Sequence, residues 1–241
     1  MLIQALIGPD NHVLFETACK TVMPACDGDG LYLQIRSRCG DGAWFWIAIR
    51  VEAFARDSDG SPIQLLGVVE DITEIKNHRQ RVEYEASHDH LTCLLNRRPM
   101  IEKLKLEIAH GKQPLTVCIC DIDKFKIIND QYGYITSDEV LRKFAIILKE
   151  ERAPETAIGR LGGDEFCVLF RVHRDEAKLA MEQVRKKLAH LQFRATEDCS
   201  FAVTASFGLS ELGKGMSWKG LMNLADKSLF EAKRKGRNRI A

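Results

Sequence analysis

Between Ala157 and Val172 the chain reads AIGRLGGDEFCVLFRV, two apolar runs broken by Gly-Gly and two acids. In the second run Phe166, Val168 and Phe170 alternate with Cys167 and Leu169, the pattern of a buried strand. Gly162-Gly163 supplies the positive φ that a tight hairpin needs. The chain must therefore build a sheet around this hairpin, with Asp164 and Glu165 side by side at the mouth of a buried strand. Like charges repel, and apolar neighbours strip their water. A turn with both acids facing solvent relieves that cost. A cation, with a phosphate brought close to bare backbone, relieves it too.

The 241 residues suit one large domain or two small ones. With 45% hydrophobic and 29% charged residues, the composition is that of a soluble globular protein. No apolar run approaches the roughly 20 residues needed to cross a bilayer, and the start, MLIQALIGPD, has no basic stretch of a signal peptide. Eight cysteines with no CxxC pair predict reduced, mostly buried thiols in a cytoplasmic protein, and no zinc site. Charge is divided unevenly. Residues 1–75 hold 5 Lys/Arg against 11 Asp/Glu, which leaves 30 against 23 for residues 76–241. The second part is the one expected to attract anions.

The first part reads as three strand-like runs, separated at Cys39–Gly42 and Asp57–Pro62, after a short helix-like stretch DNHVLFETACKTVM. Ile72 to Ser87 is charged, free of Gly and Pro, and carries a sparse apolar seam of Ile72, Ile75, Val82 and Ala86, the pattern of a linker helix. From Arg97 onward helices and strands alternate. Helices are predicted at RRPMIEKLKLEIAH, at SDEVLRKFAIILKEE with a Ser-Asp cap pair, at RDEAKLAMEQVRKKLAHL and at SWKGLMNLADKSLFEAKRKG. Strands are predicted at PLTVCICDID, in the hairpin, and as one continuous run SFAVTASFGLSEL. The fold class is α/β (α+β).

PLTVCICDID is apolar until it ends in Asp121 and Asp123. An acid from a strand end and acids from a neighbouring hairpin together suit a hard cation such as Mg²⁺, which takes one or two carboxylates plus substrate phosphates. Loop solvation is the plain alternative for such acids. Here a resemblance enters. RLGGDEF matches the signature of the GGDEF family, the diguanylate cyclases, and HDHLTCLLNRR, DIDKFKIINDQYGYITSDEVL and ADKSLFEAKRKGRNRI resemble its other motifs in the same order over about residues 85–241. The resemblance implies a palm-like nucleotidyl-cyclase sheet domain with helices on its faces, condensing two GTP into cyclic di-GMP in a homodimer.

It also implies roles. Asp121, Asp164, Glu165 and the Ile122 carbonyl would hold Mg²⁺ or Mn²⁺, with Asp164 and Glu165 catalytic and Glu165 helping to activate the 3′-hydroxyl. Gly162 and Gly163 would let the backbone approach the nucleotide. Phe125 and Lys126 would open a short helix whose free N–H groups meet the triphosphate. Lys233 and Arg237, four apart, would share a helical face and bind the β- and γ-phosphates. Asn129 and Asp138 would read guanine, whose adjacent N1–H and N2 donors suit a carboxylate acceptor; Asp138 as a mere helix cap is the alternative. An inactive receptor for GTP or cyclic di-GMP is the second functional reading. A nucleic-acid-binding palm is disfavoured, because the basic tail lacks interleaved aromatics.

Tyr134 and Ser137 depart from the family's usual His and Gly. Its R-x-x-D inhibitory site would place Arg and Asp where this chain has Ala153 and Thr156, so no feedback through that site is expected. His88 and His90 are assigned to the linker junction and not to a metal. DGAWFWIAIRVEAFARDSDGSPIQLLGVVEDITE resembles the closing (PAC) half of a PAS domain. The opening elements of a PAS core are not recognisable, so neither haem nor flavin is assigned. The expected organisation is a partial PAS-like sensory segment at 1–75, a linker helix at 76–88 and a GGDEF domain at 89–241.

Overall fold

The structure, a computed structural model, describes residues 31–38, 43–60, 62–111, 114–151, 157–196 and 199–241. The helix-like stretch expected at residues 10–23 lies outside them, as do Ala153 and Thr156. The chain divides into two units, Met1–Glu83 and Tyr84–Ala241, with the boundary inside a helix.

In the first unit β1 (Leu31–Arg38), β2 (Trp44–Arg56) and β3 (Pro62–Asp71) form an antiparallel sheet in the order β1-β2-β3. The three strand-like runs of the sequence are these strands. Alternation decides which face is covered: Leu31, Ile35, Ile47, Ile49 and Val51 are buried together, while Tyr32, Arg36 and Arg50 point outward. The tripeptide Asp71-Ile72-Thr73 then turns strand into helix. Asp71 accepts a hydrogen bond from the Thr73 amide at 2.8 Å, and Thr73 Oγ1 accepts one from the Trp46 amide at 2.8 Å. Hydrogen bonds from the Thr73 hydroxyl and amide hold the Asp71 carboxyl below its ordinary range. Helix α1 (Thr73–Ser87) follows and buries no residue; its seam residues Ile75 and Val82 are exposed.

The second unit holds a five-stranded sheet in the order β10-β5-β7-β6-β4, built from β4 (Leu95–Asn96), β5 (Thr116–Ile122), β6 (Ala157–Gly162), β7 (Glu165–Phe170) and β10 (Ala205–Glu211). All neighbours are antiparallel except β4 and β6. Its helices are α2 (Arg97–Ala109), α3 (Phe125–Glu150), α4 (Arg174–His190) and α5 (Trp218–Arg234). All seven residues of β5 are buried, because each face has its own cover. Cys118, Cys120 and Ile122 pack with Phe144, Met181 and Val184 of α3 and α4. Val117 and Ile119 pack with Leu104, Leu221 and Ala225 of α2 and α5. This is the palm-like fold with helices on both faces that the sequence implied. Cys118, Cys120 and Cys167 are buried free thiols, whereas Cys93 is exposed.

Two expectations are corrected. The predicted strand over Ser200–Leu212 is interrupted at Val203-Thr204: β9 (Cys199–Ala202) pairs instead with the unforeseen β8 (Gln192–Thr196) in a separate ribbon. Asp123 causes the break. Its amide donates to the Thr204 carbonyl at 2.8 Å, and its carboxylate accepts from Thr204 and Ser206, both at 2.7 Å. The two helical pieces expected around Tyr134 are present within α3 and meet at a kink at Gly133 (φ 77°, ψ 171°), earlier than the sequence suggested. Ser137 is therefore no N-cap. It is buried within the helix and donates back to the Gly133 carbonyl at 3.1 Å.

Candidate active site

The acids meet because of register. Asp121, next to last in β5, lies opposite Glu165, the first residue of β7, and the Ile122 amide reaches the Asp164 carbonyl at 3.4 Å. Asp121 is buried, Asp164 half-buried and Glu165 exposed, so the three step from core to solvent. Burial raises the Asp121 carboxyl to about 6; Lys233 opposes the rise, while Asp164 and Glu165 add to it. Lys233, in the last turn of α5, places Nζ 2.7 Å from Asp121 Oδ2. A buried carboxylate facing two further acids thus takes its positive charge from a lysine.

Among the described residues no three His, Cys, Asp or Glu side chains close around one point. A cation here is not caged by protein alone. The oxygen donors of Asp121, Asp164 and Glu165, open to solvent on one side, fit a hard divalent cation whose shell is completed from outside.

The turn between β6 and β7 takes Gly162 at φ 147° and Gly163 at φ 53°, and a Cβ at either would meet only open space. Nothing among the described residues crowds a Cβ at either position of the turn, so its bare backbone is accessible. It is braced from behind. Arg160 donates to the Gly163 carbonyl through Nε at 2.9 Å and Nη2 at 2.8 Å, and through Nη1 to both Asp89 oxygens at 3.0 and 3.1 Å. Asp89 also accepts from the Thr92 amide and hydroxyl, at 2.9 and 2.7 Å. Burial raises its carboxyl, but the Thr92 and Arg160 bonds outweigh this and hold it below the ordinary range. The sequence motif at Asp89-His90-Leu91-Thr92 is thus a clamp on the turn. Replacing Arg160 by Ala leaves Asp89 sheltered and half-paired; we expect a loss of about 2–3 kcal/mol, read as a lower melting temperature, with Arg160→Lys restoring little because lysine lacks the fork.

Helix α3 opens at Lys124, which is left-handed (φ 56°) and gives no side-chain cap, so the first helical N–H groups stay free of one. Phe125 is buried and anchors the start, and Lys126 is exposed. Asn129 lies before the Gly133 kink and Asp138 after it, both half-buried. Asp138 faces Arg142 at 4.0 Å, one turn on, and is not a helix cap. Tyr134 is 80% exposed at the kink and props no part of the core. His88 stacks on Tyr84 at 4.0 Å between ring centroids and contacts the Ser87 hydroxyl at 2.8 Å, as befits a junction residue.

Arg237 corrects the expected helical pair. Helix α5 ends at Arg234, Gly236 follows at φ 113°, and Arg237 itself is left-handed at φ 62°. Its amide closes the end onto the Ala232 carbonyl at 3.1 Å. Lys233 and Arg237 do not share a helical face; Arg237 instead lines a cavity of about 440 Å³ with Lys124, Gln131 and Tyr132. Two positioning residues had no assigned role in the sequence reading: Arg160, and Asp123, whose carboxylate also accepts from the Asn238 amide at 3.0 Å and so ties the chain's end to β5.

Comparisons with known proteins identify the family. The family model "Diguanylate cyclase, GGDEF domain" matches residues 86–239. The diguanylate cyclase DosC of Escherichia coli K12 is 37% identical over 161 residues, 65% of this chain and 35% of that protein. A diguanylate cyclase of Vibrio cholerae is 36% identical over 185 residues, 75% of this chain and 57% of its own length. The matched part is thus about a third to rather more than half of these relatives. Among solved structures, the coiled coil and GGDEF domain of DgcB from Caulobacter crescentus, in complex with c-di-GMP, aligns with a TM-score of 0.67 at 29% identity, covering 70% of this chain and 92% of that one. The active GGEEF domain of a Vibrio cholerae diguanylate cyclase aligns with a TM-score of 0.57 at 33% identity, covering 61% and 95%. Cyclases of this family generally need divalent metal ions. No helix among the described residues is long and apolar enough to cross a membrane.

Proposed function

The chain belongs to the GGDEF family of diguanylate cyclases, and on that premise we propose that it is itself a cyclase, converting two GTP into cyclic di-GMP and two pyrophosphates. The observation that carries this reading is the buried Asp121, set opposite Glu165 and held by Lys233. An inactive receptor has no use for a desolvated carboxylate kept beside two more acids.

Asp121, Asp164 and the Ile122 carbonyl would hold Mg²⁺ or Mn²⁺. When bound, such a cation neutralises phosphate charge and sharpens the 3′-hydroxyl as a nucleophile. Glu165, the most exposed of the acids, stands as a further ligand or as the base that takes the hydroxyl proton. The bare turn at Gly162-Gly163, the uncapped start of α3 at Phe125 and Lys126, and the cations Lys233 and Arg237 receive the triphosphate. Each chain holds one GTP. In a homodimer each 3′-oxygen forms a bond to the other nucleotide's α-phosphorus, the bond to the β-phosphate breaks, and pyrophosphate leaves. Orientation of the two nucleotides supplies much of the rate. Residues 1–75 act as a PAS-like sensory segment, 76–88 as the linker and 89–241 as the cyclase, in the cytoplasm.

Guanine is read by Asn129 and Asp138. Adenine presents an acceptor at N1 and would set a lone pair against the carboxylate. Asp138→Ala should therefore narrow the preference for GTP over ATP by about tenfold or more while leaving the fold intact, since its ion pair with Arg142 is long and solvent-accessible. Competition of ATP against GTP turnover in the two proteins measures it. Unchanged selectivity removes Asp138 from base reading.

A further inference from the structure

We propose that Lys233 is an exchangeable counter-ion: lysine and divalent cation compete for Asp121, so Lys233 is released to the nucleotide's phosphates only as the cation takes its place. This rests on the cyclase reading above and adds an order of events to it.

The two partners differ in freedom. The Asp121 side chain is 9% exposed and fixed by β5, whereas that of Lys233 is 32% exposed and sits in the final turn of α5. The carboxylate cannot leave; the ammonium on its flexible stem can. The neighbouring cations are engaged elsewhere. Arg234 and Lys235 both face Glu231, and Arg237 lines the adjacent cavity. Among the described residues Lys233 is the one cation within ion-pair reach of Asp121.

One-for-one exchange follows from charge. A divalent cation arriving beside a lysine still in place would meet its repulsion. A lysine leaving with nothing in its place would strand a sheltered carboxylate against Asp164 and Glu165, which already raise it. Swapping the two avoids both. The freed ammonium lies next to the incoming phosphates, whose charge draws it away from Asp121. Cation and nucleotide must then help each other to bind, and by linkage the help is equal in both directions.

The test is calorimetric titration of Mn²⁺ into the full chain without nucleotide, then with a non-hydrolysable GTP analogue. Lys233→Met should bind Mn²⁺ alone about tenfold tighter than wild type. Lys233→Gln should do the same, and Lys235→Met should not change. The gain in Mn²⁺ affinity that the analogue gives wild type should shrink by about tenfold in both Lys233 variants. Equal or weaker Mn²⁺ binding by either folded Lys233 variant overturns the exchange. Failure of the cyclase reading is separate: it appears as absence of GTP turnover in wild type, whatever the Mn²⁺ affinities.

Discussion

Asp121→Asn is expected to abolish GTP turnover, by about a thousandfold or more, while making the metal-free protein more stable above pH 6. Both effects come from one desolvated carboxylate. Its folded value is about 6 against an ordinary 3.8. The folded state therefore holds this proton more tightly than the unfolded chain does. On this group's account stability is greatest below pH 4, falls as pH rises from about 4 to 6, and is flat above. A shift of about two units corresponds to an order of 3 kcal/mol. Asparagine keeps the shape, accepts from Lys233 and carries no charge, so its melting temperature should lack that fall. Melting curves in a chelator from pH 4 to 8 check the stability half, and steady-state turnover checks the other. Asp164→Asn should also lose turnover. A near-wild-type rate in either variant contradicts the ligand assignment.

The largest structural effect is expected at Gly208. A Cβ there would lie 2.2 Å from the Ala225 carbonyl oxygen and the Leu229 amide nitrogen, and 2.7 Å from Leu229 Cα. All three are backbone atoms of α5, so no side chain can swing aside. Gly208→Ala must lift the helix from the sheet. We expect a loss of about 3 kcal/mol or more, or roughly 6–12 °C in a unit of this size. Because α5 carries Lys233, turnover should fall with it. Gly159→Ala should cost less, since its nearest obstacles, Met100 Cβ and Cγ at 2.9 Å and the Leu95 carbonyl oxygen at 3.0 Å, stand farther off. Gly163→Ala meets open space and costs only its left-handed backbone, about 1 kcal/mol. A Gly208 variant as stable as the Gly163 one would refute the close packing of α5.

The elements nearest the site were legible because their patterns are local. The apolar run of β5 and the Gly-Gly hairpin state their structure over a few residues, and their strand ends bring Asp121 and Glu165 together in register. Contacts between distant residues were not legible. Arg160 finds Asp89 across 71 positions, and Asp123 finds the Asn238 amide across 115; no local pattern marks either pair. The displaced Arg237 is different. Gly236 directly after a basic helix end is the usual stop signal, and it takes the positive φ such an end requires. Ser137 misled as a cap because Gly133, four residues earlier, had already made the break.

The most direct measurement is to incubate the purified full chain with GTP and Mg²⁺ and to resolve the nucleotides by chromatography while assaying released pyrophosphate. A diguanylate cyclase with the site described here yields cyclic di-GMP and pyrophosphate in a one-to-two ratio, with none from ATP and none from Asp121→Asn. Consumption of no GTP at micromolar protein, or formation of cyclic di-GMP undiminished in Asp121→Asn, would contradict it.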